Sequence, residues 1–130
     1  MIKIKKSNIL TLHKAIIDLT GGSREMRDYG LMDSALNSAY QTFDGVELYP
    51  TNEEKGAKLG FSLINNHAFV DGNKRIGLLV MLTFLEMNGV FLKYNDDDLI
   101  KLGLGLADGK ISYDELLKWI NDHKKAEYEW

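Results

Sequence analysis

The sequence predicts an all-α, single-domain bundle of about six helices, with strands at most in one small β flap. Three observations carry this. Ile9, Leu12, Ile16 and Leu19 recur at helical spacing early in the chain. Thr51-Asn52-Glu53-Glu54 and Ser112-Tyr113-Asp114-Glu115 are capping boxes, in which the hydroxyl accepts the N–H three residues on and the glutamate reaches back. Finally, residues 76–87 are so apolar that a helix there keeps almost no polar face, which belongs at the centre of a bundle.

Taken in order, Ser7 or Asn8 can cap the first helix and Gly21-Gly22 ends it. His13 within it reads as a structural or solvent-facing side chain before a ligand. Residues 22–30 form a polar loop with Arg24, Glu25, Arg27 and Asp28. Charges of both signs there read as solvated, with Arg27-Asp28 a brace between helices before it is chemistry. The second helix runs from Leu31 to about Tyr40, with Leu31, Ala35 and Ala39 on one face. Asp44-Gly45 is a turn signal within residues 43–50, which suit a short hairpin flap and an interhelical loop equally well.

The third helix starts at the Thr51 box and reaches about Asn66. Gly56 and Gly60 share one of its faces, and since each costs about 1 kcal/mol against alanine, a closely packed second helix is expected there. The fourth runs from Asn73 to Asn88 with Gly89 closing it. Asn95 caps a fifth, where Asp96, Asp97 and Asp98 suit the positive helix end better than a cation site, and Asp108-Gly109 closes it. The sixth turns Leu116, Leu117, Trp119 and Ile120 inward, and His123 with residues 124–130 reads as a fraying terminus. No repeat or linker divides residues 1–130, so one domain is expected.

A chain of 130 residues can bury a core without staples, and with no cysteine it has none. The lack of thiols fits a reducing compartment. A net charge of −3 with no clustered basic face excludes a broad nucleic-acid footprint. Neither a signal-peptide pattern nor an apolar run of membrane-spanning length is present, so no membrane association and a soluble cytoplasmic protein are expected.

The chemistry concentrates in His67-Ala68-Phe69-Val70-Asp71-Gly72-Asn73-Lys74-Arg75, five functional side chains between two apolar segments. This reads as a loop ending at a helix start, with Asp71 or Asn73 as the cap. Gly72 permits a tight turn and close approach of a ligand. Lys74 and Arg75 then sit in a first helical turn, where unpaired N–H groups and the dipole favour an anion. Two cations there ask for a compensating negative ligand such as a polyphosphate. His67 can act as general base near neutral pH. Asp71 offers the hard oxygen that Mg²⁺ prefers. Together they compose a site for phosphoryl or nucleotidyl transfer.

His67-x-Phe69-x-Asp71-Gly72-Asn73-Lys74-Arg75 resembles the signature of the Fic/Doc (Fido) family, and the likeness extends from Gly21-Gly22…Arg27-Asp28…Leu31 to the last amphipathic helix. Ala68 departs from the family's usual proline, which touches loop stiffness and not the reacting groups. Adenylylating Fic proteins usually carry a second glycine where this chain has Lys74, whereas death-on-curing (Doc-type) toxins carry lysine. The resemblance implies an ATP substrate with Mg²⁺ on Asp71 and His67 as catalytic base. It implies phosphate held by Gly72, Asn73, Lys74 and Arg75, with Phe69 anchoring the loop. It also implies the Doc-type activity, phosphate transfer to a threonine of translation elongation factor Tu. Adenylylation is the alternative, and a non-catalytic nucleotide- or protein-binding module is the rival of another class. Some relatives silence themselves with a helix in which Ser or Thr is followed four positions later by Glu. No Ser or Thr here has that spacing, so a small antitoxin acting in trans is the expected brake.

Overall fold

The computed structural model describes residues 1–125, and among them are six helices and one two-stranded hairpin. The helices are α1 (Lys6–Thr20), α2 (Tyr29–Ser38), α3 (Asn52–Asn66), α4 (Asn73–Met87), α5 (Asp96–Ala107) and α6 (Tyr113–Asp122). β1 (Thr42–Phe43) and β2 (Val46–Glu47) pair antiparallel between α2 and α3. The all-α architecture with one small flap is the one expected. No helix among the described residues is long and apolar enough to cross a membrane.

The α3/α4 pair forms the axis. Its helices approach closely where Gly60 and Gly77 face each other: a Cβ on Gly77 would lie 2.5 Å from Ile64 Cγ1 and 3.0 Å from the Gly60 carbonyl oxygen. One on Gly56 would lie 2.7 Å from Leu85 Cδ2. The glycine face of the third helix therefore does what its spacing implied, and Gly77 is its partner. α2 and α6 pack on α3, while α1 and α5 pack on α4. The core between them holds Met32, Ala57, Leu63, Ile76, Phe84 and Leu106, all fully buried. Burial also pushes the Tyr113 phenol well above its usual range, and its hydroxyl donates to the Glu54 carbonyl at 3.2 Å, joining α6 to the start of α3.

α4 is central but not buried all round. Leu78, Leu79 and Leu82 remain partly open and, with Leu99 and Leu104 of α5, line a groove of about 390 Å³. α5 touches α4 through Gly103, where a Cβ would lie 3.0 Å from Leu78 Cδ1, and leaves the groove beside that contact.

The capping boxes at Thr51, Asn95 and Ser112 all form, and the three aspartates occupy the first turn of α5. No group of three metal-ligating side chains occurs among the described residues. α1 begins one residue before Ser7, with Asn8 Oδ1 accepting the Lys5 N–H at 2.9 Å, so Asn8 serves as the reaching-back partner and not as the cap. α1 buries Ile9, His13 and Ile17, while Leu19 is 87% exposed. Its apolar residues are spread over more than one face, and packing against α4 selected the stripe that includes the histidine. α2 starts two residues early because Asp28 accepts the Leu31 N–H at 3.2 Å.

The hairpin turns at Asp44 and Gly45, both with positive φ (53° and 79°), the geometry of a tight two-residue hairpin. Lys55 anchors it from α3. This lysine is 2% exposed, its ammonium lies 3.2 Å from Glu47 Oε1, and it donates to the Tyr49 carbonyl. The expected fraying after α6 is corrected for residues 123–125. Lys93 N–H donates to the His123 carbonyl at 2.7 Å and Lys125 N–H to the Phe91 carbonyl at 2.8 Å, which docks this stretch as a short bridge. The remainder of that tail lies outside the described residues.

Candidate active site

Residues 67–72 connect α3 to α4 and are backed by the segment before α2. The Ala68 carbonyl accepts the Arg27 and Asp28 N–H groups at 2.8 and 3.1 Å, and Val70 N–H donates to the Glu25 carbonyl at 3.1 Å. Met26 and Phe69 thus face each other in an antiparallel bridge. The polar loop before α2 therefore lays its backbone against the motif through this isolated bridge. Arg27 is a brace, as expected: its Nη2 donates to the Asn66 carbonyl at 3.3 Å, at the end of α3.

His67 ends α3 in the left-handed conformation, φ 52° and ψ 47°. Such a backbone is uncommon outside glycine, although histidine tolerates it better than most, and such outliers concentrate at functional positions. The residue is exposed, and its ring has no hydrogen-bond partner among the described residues. Phe69, two residues on, is 1% exposed.

Asp71 is exposed, and its Oδ2 accepts the Ser23 N–H at 2.8 Å. Its other carboxylate oxygen accepts no bond among the described residues. Gly22 makes this possible: with φ +111° it carries the loop past Asp71, and a Cβ there would lie 3.2 Å from Oδ2.

The helix start differs from expectation. Neither Asp71 nor Asn73 caps α4; the cap is Gly72, left-handed at φ 82°, with no side-chain hydrogen bond. Asn73 lies already inside the helix and turns its amide back, Oδ1 accepting the Phe69 N–H at 3.0 Å and Nδ2 donating to the Phe69 carbonyl at 2.8 Å. Its side chain therefore holds the loop and keeps only one N–H for a ligand. The first intrahelical bond runs from Ile76 N–H to the Gly72 carbonyl at 2.8 Å. The N–H groups of Asn73, Lys74 and Arg75 precede it, lack intrahelical partners and sit at the positive dipole end.

Lys74 rests its stem on α5, where a Cβ on Gly103 would lie 3.3 Å from Lys74 Cγ. Arg75 is exposed and its Nη1 lies 3.5 Å from Thr20 Oγ1 at the end of α1. Neither makes an ion pair among the described residues.

One participant was not expected. His13 is 2% exposed, stacks on Phe69 (centroids 3.7 Å apart, planes at 17°), and its Nε2 lies 2.8 Å from the Asp71 carbonyl oxygen. The available signal was its place four residues from both Ile9 and Ile17, on the stripe that α1 buries.

These residues fit a magnesium nucleotide. One carboxylate oxygen is free, open N–H groups face outward from a helix start, and two cations make no ion pair among the described residues. A single protein carboxylate suffices for Mg²⁺ when phosphate oxygens complete its shell.

The described residues thus form a helical bundle that presents a histidine, a carboxylate and an open helix start along one braced connection. The chain belongs to the Fic/Doc family: the family model described as Fic/DOC family matches residues 3–85. It is 47% identical over 77 residues to Toxin Doc of Mycolicibacterium smegmatis (strain ATCC 700084 / mc(2)155). That match covers 59% of this chain and 59% of the relative, so the likeness spans about three fifths of the relative's length. Proteins of this family are generally transferases that take ATP as substrate, often with Mg²⁺.

Proposed function

We propose that this protein is a Doc-like toxin that transfers phosphate from Mg²⁺-ATP to a protein hydroxyl, with a threonine of translation elongation factor Tu as target, and so blocks translation. The observation that carries the choice of phosphate over AMP is Lys74. Its side chain stands beside the open start of α4, filling space and placing charge where adenylylating relatives carry glycine. The likeness to a protein named Toxin Doc supports the same reading.

In the reaction, the target's hydroxyl oxygen bonds to the γ-phosphorus as the bond to the bridging oxygen breaks and ADP leaves. His67 takes the hydroxyl proton; its exposed ring has no competing partner. Mg²⁺, when bound, offsets charge on the phosphate oxygens, and Asp71 is the residue that would hold it. Backbone N–H groups at Gly72 and Asn73 and the remaining amide N–H of Asn73 orient the phosphates, and Lys74 and Arg75 clamp their charge.

A toxin of this kind needs an inhibitor in trans. The apolar groove between α4 and α5, with Lys74 and Arg75 at one end, suits an acidic amphipathic helix from a small antitoxin. The transferred group is tested with ATP labelled at the α- or γ-phosphate and a bacterial lysate as acceptor. Label is expected on one protein from γ-labelled ATP only, and label from the α-phosphate overturns the kinase reading in favour of adenylylation.

A further inference from the structure

We infer that His13 is a positioning residue for the reacting loop, setting the direction of the Asp71–Gly72 peptide so that the Gly72 N–H faces the nucleotide. This rests on the proposed nucleotide-dependent transfer.

Three contacts converge on this one side chain. A carbonyl oxygen only accepts, so at 2.8 Å from the Asp71 carbonyl the Nε2 of His13 carries the proton and donates it. Asp71 lies one residue before the cap of α4, so its carbonyl has no acceptor role within the helix and His13 satisfies it. The ring face covers Phe69 at 3.7 Å between centroids, and Phe69's backbone is held at both polar atoms by Asn73. Gly72 lies directly on the same surface: a Cβ there would be 3.3 Å from Ile17 Cδ1 and 3.5 Å from His13 Nε2.

The consequence follows from peptide planarity. In a trans peptide the N–H points opposite to the C=O. No cis bond occurs among the described residues. Drawing the Asp71 carbonyl toward α1 therefore aims the Gly72 N–H away from α1, and it has no partner among the described residues. His13 thus acts at a distance on both halves of the site: through Phe69 on the turn that follows His67, and through Asp71 on the phosphate-facing N–H.

Two substitutions separate the contacts. His13→Phe keeps a flat ring on Phe69 and removes the donor, while His13→Gln keeps an N–H donor and removes the ring. We would follow the Gly72 backbone amide by NMR during titration with Mg²⁺-ATP, and measure kcat and KM for transfer from ATP labelled at either phosphate. The Gly72 amide is expected to shift strongly with ATP in the wild type and His13→Gln, and weakly in His13→Phe. Transfer by His13→Phe should fall about ten- to a hundredfold in kcat, the cost of a small misplacement at a reacting centre, with His13→Gln recovering most of it. Equal amide responses in all three proteins, or losses that merely follow the melting temperatures, overturn the inference. Should the wild type transfer neither label while the amide pattern holds, the transfer reading fails and the positioning role stands.

Discussion

Asp71 and Ser23 are 48 residues apart in the chain and joined at 2.8 Å, the Ser23 N–H donating to Asp71 Oδ2. One carboxylate oxygen is thereby fixed and the other is left to a ligand. The contact exists only because Gly22 runs past the carboxylate at φ +111°.

Gly22→Ala should therefore disturb Asp71 before it disturbs the bundle. The left-handed backbone and the 3.2 Å approach to Oδ2 predict a loss of about 1 kcal/mol in stability. Mg²⁺-ATP affinity should fall further, toward that of Asp71→Ala. Urea unfolding and ATP titration with and without Mg²⁺ measure the two effects, and unchanged Mg²⁺ dependence would remove Asp71 from the metal's shell.

His67→Ala should lower kcat by about 10²- to 10⁴-fold, the range for a positioned general base. The ring is exposed and unpartnered, so ATP affinity and melting temperature should stay near wild type. Near-full activity in this variant would assign the base elsewhere.

Gly77→Ala tests the axis of the fold. Its new methyl would lie 2.5 Å from Ile64 Cγ1 and 3.0 Å from the Gly60 carbonyl, and at least one neighbour there is rigid backbone. Overpacking of this kind costs about 1–3 kcal/mol, read as an earlier urea midpoint with an unchanged slope. Because α4 carries the site, activity should fall as well. A neutral effect would show that the two helices separate easily.

Expression of the chain alone in bacteria should slow growth, and His67→Ala or Arg75→Ala should relieve it. Growth curves with matched soluble protein levels measure this. Unimpaired growth with an active wild type would argue for a housekeeping transferase and against a toxin.

Much of the molecule was legible because its determinants are local. The Thr51, Asn95 and Ser112 caps involve residues three apart, and they form as their spacing dictates. Gly56 and Gly60 announced a close helix contact, although the sequence could not name Gly77 and Ile64 as the other side. The nine-residue motif likewise placed His67 and Asp71 on the connection before α4 and the two cations in that helix's first turn.

What tertiary structure alone decided is where the polar groups of that loop find their partners. A capping aspartate or asparagine was the local solution for α4, yet Gly72 became the cap. Asp71 is drawn to Ser23 and Asn73 to Phe69, groups supplied by folding. His13 lies 58 residues from Asp71, and only the packing of α1 on α4 brings them together. Buried backbone groups must be paired, and the fold supplies whichever partner lies within reach. Local spacing is fixed by the geometry of a helix turn, so the sequence determined the elements and the clustering of the candidate residues 67–75 between α3 and α4. The partners that aim those residues depend on which faces of distant helices meet, and the structure decided them.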